Sequence, residues 1–295
     1  MTSTPPTDVI RYLRQEVGFG CPFPNCRSPI LTWHHFDPPW RLEQHHRPDG
    51  MIALCRLHAD AADGGLFSNT QLKQWKKARN SIDSVKAKFP WAQRNFLIRL
   101  GGNYSGGESV PLALAGEPII SLTRDLTGPL LLSMSLRLPD GTLVASIDEN
   151  SFTADPTQIY DLVVNTAPTA VKIWLSQRDV GMDLSFRRIT LQELNEVLAQ
   201  DRQRARKKVE ELISPEMKRF LSANPMLSGG ENGDLNGPFI RSYAESQLDD
   251  EERVAFLDFK KLRVHSNGRE LVVSDGIGST FFYCASFGNA RGFSL

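Results

Sequence analysis

Cysteine is scarce in this chain: four residues in 295, three of them between Cys21 and Cys55. So few thiols exclude a disulfide scaffold and suit a reducing compartment. Net charge is also missing. The 34 Lys and Arg residues balance 34 Asp and Glu residues, so no global field selects a polyanionic partner. Any affinity for nucleic acid has to come from a local patch. No apolar run nears the roughly 20 residues that span a bilayer. The opening stretch, MTSTPPTDVIRYLRQEV, lacks the basic start and apolar core of a secretory signal. The expectation is a cytoplasmic protein with no membrane partner. Residues 101–107 (GGNYSGG) are glycine-rich, but no Lys-Ser/Thr pair follows, which excludes a phosphate-binding loop of that type.

Histidine is crowded where cysteine is. Five of the six histidines lie between His34 and His58. The stretch runs C-PFPN-C-RSPILTW-HH-FDPPWRLEQ-HH-RPDGMIAL-C-RL-H-ADAAD, from Cys21 to Asp63. Packing does not require such crowding, and metal binding does. Cys21-x4-Cys26 and Cys55-x2-His58 form two ligand pairs about thirty residues apart, the usual recipe for a tetrahedral structural zinc. The plain alternative is that they are small buried apolar residues. A small strand–loop–strand–helix unit holds its shape better with such a staple.

The local pattern supports that unit. Val9, Ile10, Leu13 and Val17 recur at helical spacing after Asp8, a potential N-cap. Residues 29–36 (PILTWHHF) are rich in β-branched and aromatic residues and bounded by prolines, so they predict a strand. Asp49-Gly50 signals a turn before the apolar strand MIAL, which ends at Cys55. Residues 55–62 predict a helix stopped by Gly64-Gly65. Ser68 or Asn69 then caps a helix expected to continue to Phe89. From Gln71 to Arg99 the only acidic residue is Asp83, against Lys73, Lys76, Lys77, Arg79, Lys86, Lys88, Arg94 and Arg99. This is the most biased charge segment in the chain, read either as a phosphate-binding surface or as a solvated helix face.

His34, His35, His45, His46 and Asp63 are not needed for the zinc. Adjacent strand residues point to opposite faces, so His34 and His35 cannot share one role. A polar loop pair is the plain reading of His45-His46, and a solvated helix end that of Asp63.

The order of these residues resembles the HNH endonucleases, which have a ββα-metal fold. The shared features are the Cys pair, the His-His-x-x-Pro strand, the loop, the apolar strand ending in Cys and the helix. The wording WHHFDPPW…HH-x-P-[DE]-G-MIALC-x-x-H is similar to a bacterial subgroup of that family. The resemblance covers residues 18–77. It implies His34 as a ligand for a catalytic divalent ion, Asp63 as the second ligand, and His35 as the general base. It implies Mg²⁺ or Mn²⁺ beside the structural Zn²⁺, and DNA, double-stranded, as substrate. Lys73, Lys76, Lys77 and Arg79 would hold its backbone. The family's middle asparagine falls on Gly50 here, which passes its loop-fixing role to His46 or to the backbone. Ala59 stands where the family often has a further histidine.

After Pro90 the texture changes to short strands with turn signals. LLLSMSLRL-PDG-TLVASI predicts a hairpin; YDLVVNTAP, AVKIWLSQ and MDLSFRRI continue as strands. Residues 190–222 predict a helix, 223–238 a loop, and 239–260 a short, partly acidic helix. Asn267-Gly268 predicts a hairpin turn. The run Arg202–Lys208 is a solvated face, and His265 and Cys284 are isolated.

The expected fold is α+β. An HNH nuclease domain over residues 1–89 precedes a larger β-rich domain with inserted helices over 90–295. That second domain carries no recognisable catalytic chemistry and suits a regulatory role, a protein partner or a homo-oligomer. The leading expectation is a DNA endonuclease, with anti-phage defence suggested by architecture. The rivals are a zinc-stabilised nucleic-acid-binding module without catalysis, and a sensor or interaction protein acting through the β-rich part.

Overall fold

A computed structural model describes residues 4–77, 83–91, 93–114, 116–126, 128–212, 214, 219, 237–274, 285–287 and 291–294. The fold is a mixture of helices and sheets. By contacts the chain divides into two compact units that interleave along the sequence. One comprises residues 1–91, 132–183 and 264–268; the other comprises 92–131, 184–263 and 269–295. The first segment ends at Trp91, beside the sequence boundary at 89/90. Beyond Trp91 the chain is shared between the two units instead of forming one block.

The first unit starts with helix α1 (Thr7–Glu16). Its N-cap is Pro6, and no side chain caps it, so Asp8 sits inside the first turn. Strand β1 (Leu31–His35) pairs antiparallel with β2 (Met51–Cys55), His34 opposite Ile52 and His35 opposite Met51. Helix α2 (Arg56–Asp63) follows β2 without a break. All five residues of β2 are buried, because α1 and α2 both pack on it. Leu13, Val17, Leu31, Phe36, Ala59, Ala62 and Leu72 complete this core.

Helix α3 (Asn69–Lys76) opens with a reciprocal capping box between Ser68 and Gln71, a device that contributes about 1 kcal/mol. It stops at Lys76, far short of Phe89. Residues 85–88 form strand β3 (Val85–Lys88), which pairs with Ser151–Ala154. Val85 and Ala87 face inward while Lys86 and Lys88 face out, a strand alternation that the charge run masked.

The rest of this unit is sheet. Leu130–Arg137 and Leu143–Asp148 form the expected hairpin, and Ser151–Ala154 continues it through a turn with positive φ at Glu149 and Asn150. Asp161–Val164 pairs with Ala170–Ser176. Helix α1 is tied to this layer by Arg14, whose guanidinium donates to both oxygens of Asp161 at 2.9 and 2.7 Å. Gln15 adds a bond to the Tyr160 carbonyl.

In the second unit, Leu97–Leu100 pairs antiparallel with Asn103–Gly106 and parallel with part of Arg253–Ser266. A helix, Leu191–Leu212, begins where the sequence placed it. The acidic helix expected over 239–260 is a helix at Gly237–Ser246 and then a strand from Arg253. Asp249 causes the change: its carboxylate accepts from the backbone N–H groups of Glu251 and Arg253 and folds a turn there. Arg99 is buried between Asp201 (2.6 Å) and Asp258 (2.7 Å), and Tyr104 donates to Asp201. Most of the 223–238 loop lies outside the described residues. Among the described residues no helix is long and apolar enough to cross a membrane.

Candidate metal centre and histidine pocket

The four expected zinc ligands come together. The Sγ atoms of Cys21, Cys26 and Cys55 and a ring nitrogen of His58 all lie within 4.8 Å of one another. Cys26 and Cys55 Sγ are 3.7 Å apart; His58 Nδ1 is 3.1 Å from Cys55 Sγ and 3.4 Å from Cys21 Sγ. A tetrahedral zinc with Zn–S near 2.3 Å holds its sulfurs about 3.8 Å apart, so the donor set fits. This cluster can hold a metal ion such as zinc.

Local backbone explains how. Positive φ at Asn25 and Arg27 turns the chain around Cys26, and Cys21 N–H closes the loop onto Ser28 O at 2.8 Å. Backbone N–H groups then donate to the sulfurs: Phe23 and Cys55 to Cys21, Ser28 to Cys26, His58 to Cys55. Such donors favour thiolate, the form a metal requires. The Cys26 thiol is lowered to about 5, chiefly by its hydrogen bond with Cys21, and the same bond, together with burial, pushes Cys21 up. His58 stacks on Phe23 (centroids 3.8 Å apart), which in turn meets Phe67 and Trp75. This aromatic cluster ties α3 to the cysteine loop.

A second constellation lies at the other end of β1. His34 points to the end of α2, where its Nδ1 is 3.0 Å from Asp63 Oδ1. The His34 side chain is 8% exposed and that of Asp63 73%, so the pair has a buried side and a wet side. Burial lowers the His34 pKa, opposed by Asp63, and so favours the neutral ring that a metal ligand requires. Both residues line a cavity of about 690 Å³, together with His35, Trp40, Arg41 and Phe67.

His35 turns instead toward the loop between the strands. Its ring is surrounded by Trp40 (4.7 Å), His45 (5.3 Å) and His46 (5.8 Å). Its Nε2 is buried without a hydrogen-bond partner. Burial first, then the neighbouring His45 and His46, lower its pKa to about 4. The ring is neutral at physiological pH.

The structure distinguishes the two loop histidines. His45, read as a plain polar residue, is 5% exposed. Its Nε2–H donates to the Pro38 carbonyl (2.9 Å) and its Nδ1 accepts from the Arg47 N–H (3.1 Å). His46, expected to fix the loop, stacks on Trp40 with centroids 5.3 Å apart. Sequence could not separate the two neighbours, because the choice depends on which ring reaches the Pro38 carbonyl.

Comparison with protein-family models, curated proteins and solved structures finds no significant match. The site's chemistry therefore stands on its own geometry.

The basic segment is only partly exposed. Lys76 is buried, donating to the carbonyls of Pro48 and Met51 at 2.6 Å each and pairing with Glu16 at 3.0 Å. It fastens α1, the loop and β2 together and is unavailable to a phosphate. Arg99 is buried in its own ion-pair network in the other unit. Lys73 is exposed but pairs with Asp37 (2.6 Å), and Lys77 is exposed at the end of α3. Arg79 lies outside the described residues.

Proposed function

We propose that the segment from Cys21 to Lys77 is a metal-dependent endonuclease module of the HNH, ββα-metal type that hydrolyses DNA phosphodiester bonds. The observation that carries this reading is His35: a neutral ring whose Nε2 has no hydrogen-bond partner, lining the same cavity as His34 and Asp63. Hydrolysis needs a base that takes a proton from water at neutral pH, and a neutral imidazole with an unpartnered nitrogen meets that need.

His34 and Asp63 would hold the divalent ion. Octahedral Mg²⁺ with ligands at about 2.1 Å places neighbouring donors about 3 Å apart, and the two side chains present atoms 3.0 Å apart. The same distance serves a hydrogen bond in the absence of an ion. A bound Mg²⁺ or Mn²⁺ supplies charge neutralisation at the scissile phosphate and the departing oxygen. Two protein ligands leave room there for water and phosphate oxygens. The wet side of Asp63 and the open cavity give the backbone a way in. His35 accepts the proton; Arg41 on the cavity wall offers a cation to a neighbouring phosphate. The Cys3His cluster keeps β1, β2 and α2 in register and takes no part in the chemistry.

The test is cleavage of supercoiled plasmid in Mg²⁺ or Mn²⁺. Wild type is expected to nick and linearise it, and His34→Ala and Asp63→Ala to lose that activity. No cleavage by wild type with either ion would favour a binding module that lacks catalysis.

A further inference from the structure

We propose that the cavity beside His34 and Asp63 takes an unpaired nucleobase, stacked on Trp40, so that the substrate is single-stranded or locally unpaired DNA. The proposal rests on the nuclease reading above. Thr32, Trp33, His34, His35 and Phe36 all line this cavity. Neighbouring strand residues point to opposite faces, so a cavity touched by five in a row follows the edge of β1 and not one face of it. Among the described residues β1 pairs only with β2, and no β2 residue lines the cavity, so the edge it follows is the open one. The volume of about 690 Å³ lies in the range of sites that enclose a small organic ligand. A hydrated ion and one phosphate group fill only part of it, since a water takes about 30 Å³.

The wall is rich in rings and poor in cations. Trp33, Trp40 and Phe67 line it, whereas Arg41 is the one Lys or Arg among the described lining residues. Trp33 and Phe67 also pack against the core around β2. Trp40 is outside that core: among the described residues its ring meets His46, stacked at 5.3 Å, and His35 at 4.7 Å. A half-buried tryptophan propped on imidazoles presents ring surface to the cavity that no apolar side chain of the core requires. Every base has a π-face that such a ring can stack on. A base paired inside a duplex is already stacked and cannot enter. Thr32 and Asn69 add a hydroxyl and an amide to the wall, able to donate to or accept from the edge of an unpaired base. Because Trp40 touches His35, a base held on it brings its own phosphate beside His35, His34 and Asp63. Stacking, more than charge, then supplies the affinity, in keeping with Lys76 and Arg99 being withdrawn into ion pairs.

The experiment measures DNA binding by full-length wild type, Trp40→Ala, Trp40→Tyr and Trp40→Leu with no divalent ion added, so that cleavage does not interfere. The probes are a dye-labelled thymidine oligonucleotide, a duplex of the same length, and an abasic strand that keeps the phosphates and lacks the bases. Wild type should bind the thymidine strand about tenfold or more tightly than either of the others, with a salt slope no steeper than about −2. Trp40→Ala should weaken binding to the thymidine strand roughly five- to a hundredfold, leaving duplex binding within about twofold and zinc content unchanged. Trp40→Tyr should keep most of the affinity and Trp40→Leu, which is apolar without a π-face, should lose it. Equal affinity for thymidine and abasic strands overturns the proposal, as does unchanged affinity in a zinc-loaded Trp40→Ala. If that variant loses its zinc, Trp40→Tyr and Trp40→Leu decide: equal affinities in those two overturn it. A wild type that prefers the thymidine strand yet cleaves nothing in Mg²⁺ or Mn²⁺ sinks the nuclease reading and keeps the base pocket. One that cleaves plasmid but binds duplex as tightly as single strand sinks the base pocket alone.

Discussion

The cysteine cluster and the histidine pocket share one short hairpin and one helix, yet they are built to opposite rules. In the cluster every ligand atom lies within 4.8 Å of the other three, and backbone N–H groups cover the sulfurs. In the pocket, His35 Nε2 has no partner, Asp63 is 73% exposed, and a cavity of about 690 Å³ opens beside them. A closed donor set holds shape; an open one leaves room for reactants. The difference teaches which metal-type residues to expect in each role. Closure comes from ligands gathered where the chain approaches β1 and where β2 passes into α2, and openness from residues at the far end of β1 and the last residue of α2.

Four substitutions can break or sharpen that contrast. The largest effect is expected from Cys55→Ser. Zinc in small modules contributes about 10–16 kcal/mol of apparent binding free energy to folding at neutral pH, so losing a ligand should unfold the hairpin and helix. Zinc stoichiometry should fall from one toward zero; a mutant that keeps its metal contradicts the assignment. Asp63→Asn comes next. It should raise the Mg²⁺ concentration needed for half-maximal cleavage by roughly 10- to 100-fold while leaving zinc content and thermal stability alone. A change in zinc would mean that the two sites are not separate.

Lys76→Ala should cost stability, by about 1–3 kcal/mol, because two buried carbonyls and Glu16 lose their partner. Thermal melting should show it, with KM for DNA unchanged per folded molecule. A selective rise in KM would restore Lys76 to the DNA surface. Lys77→Ala is expected to do least. It should weaken DNA binding a few-fold and reduce the salt slope by about one; an unchanged slope would remove α3 from the interface.

The hairpin-and-helix unit was legible from the sequence almost to the residue, because strand composition, the Asp49-Gly50 turn and Gly64-Gly65 are local signals. So was the Cys3His donor set, whose spacing is itself the signal. Long-range pairing was not legible. Lys76 looks like any basic helix residue until Glu16, Pro48 and Met51 are brought to it, and Arg99 looks like part of a charge run until Asp201 and Asp258 enclose it. The helix expected to reach Phe89 failed because high charge hid a two-residue alternation in Val85–Lys88. His45 and His46 are identical neighbours, and only the three-dimensional path of the loop decides which ring is buried. The glycine at position 50 was visible, but its cause, the Asp37 carbonyl, was not.

The central claim is that the open pocket, not the closed cluster, carries chemistry, with His35 as base. The most direct measurement is plasmid cleavage in Mg²⁺ by wild type and His35→Ala, alongside zinc content and melting temperature of both. The expected result is a loss of cleavage rate of roughly a hundred- to ten-thousandfold, the usual contribution of a general base, with zinc and melting temperature unchanged. Equal cleavage by the two proteins would contradict it.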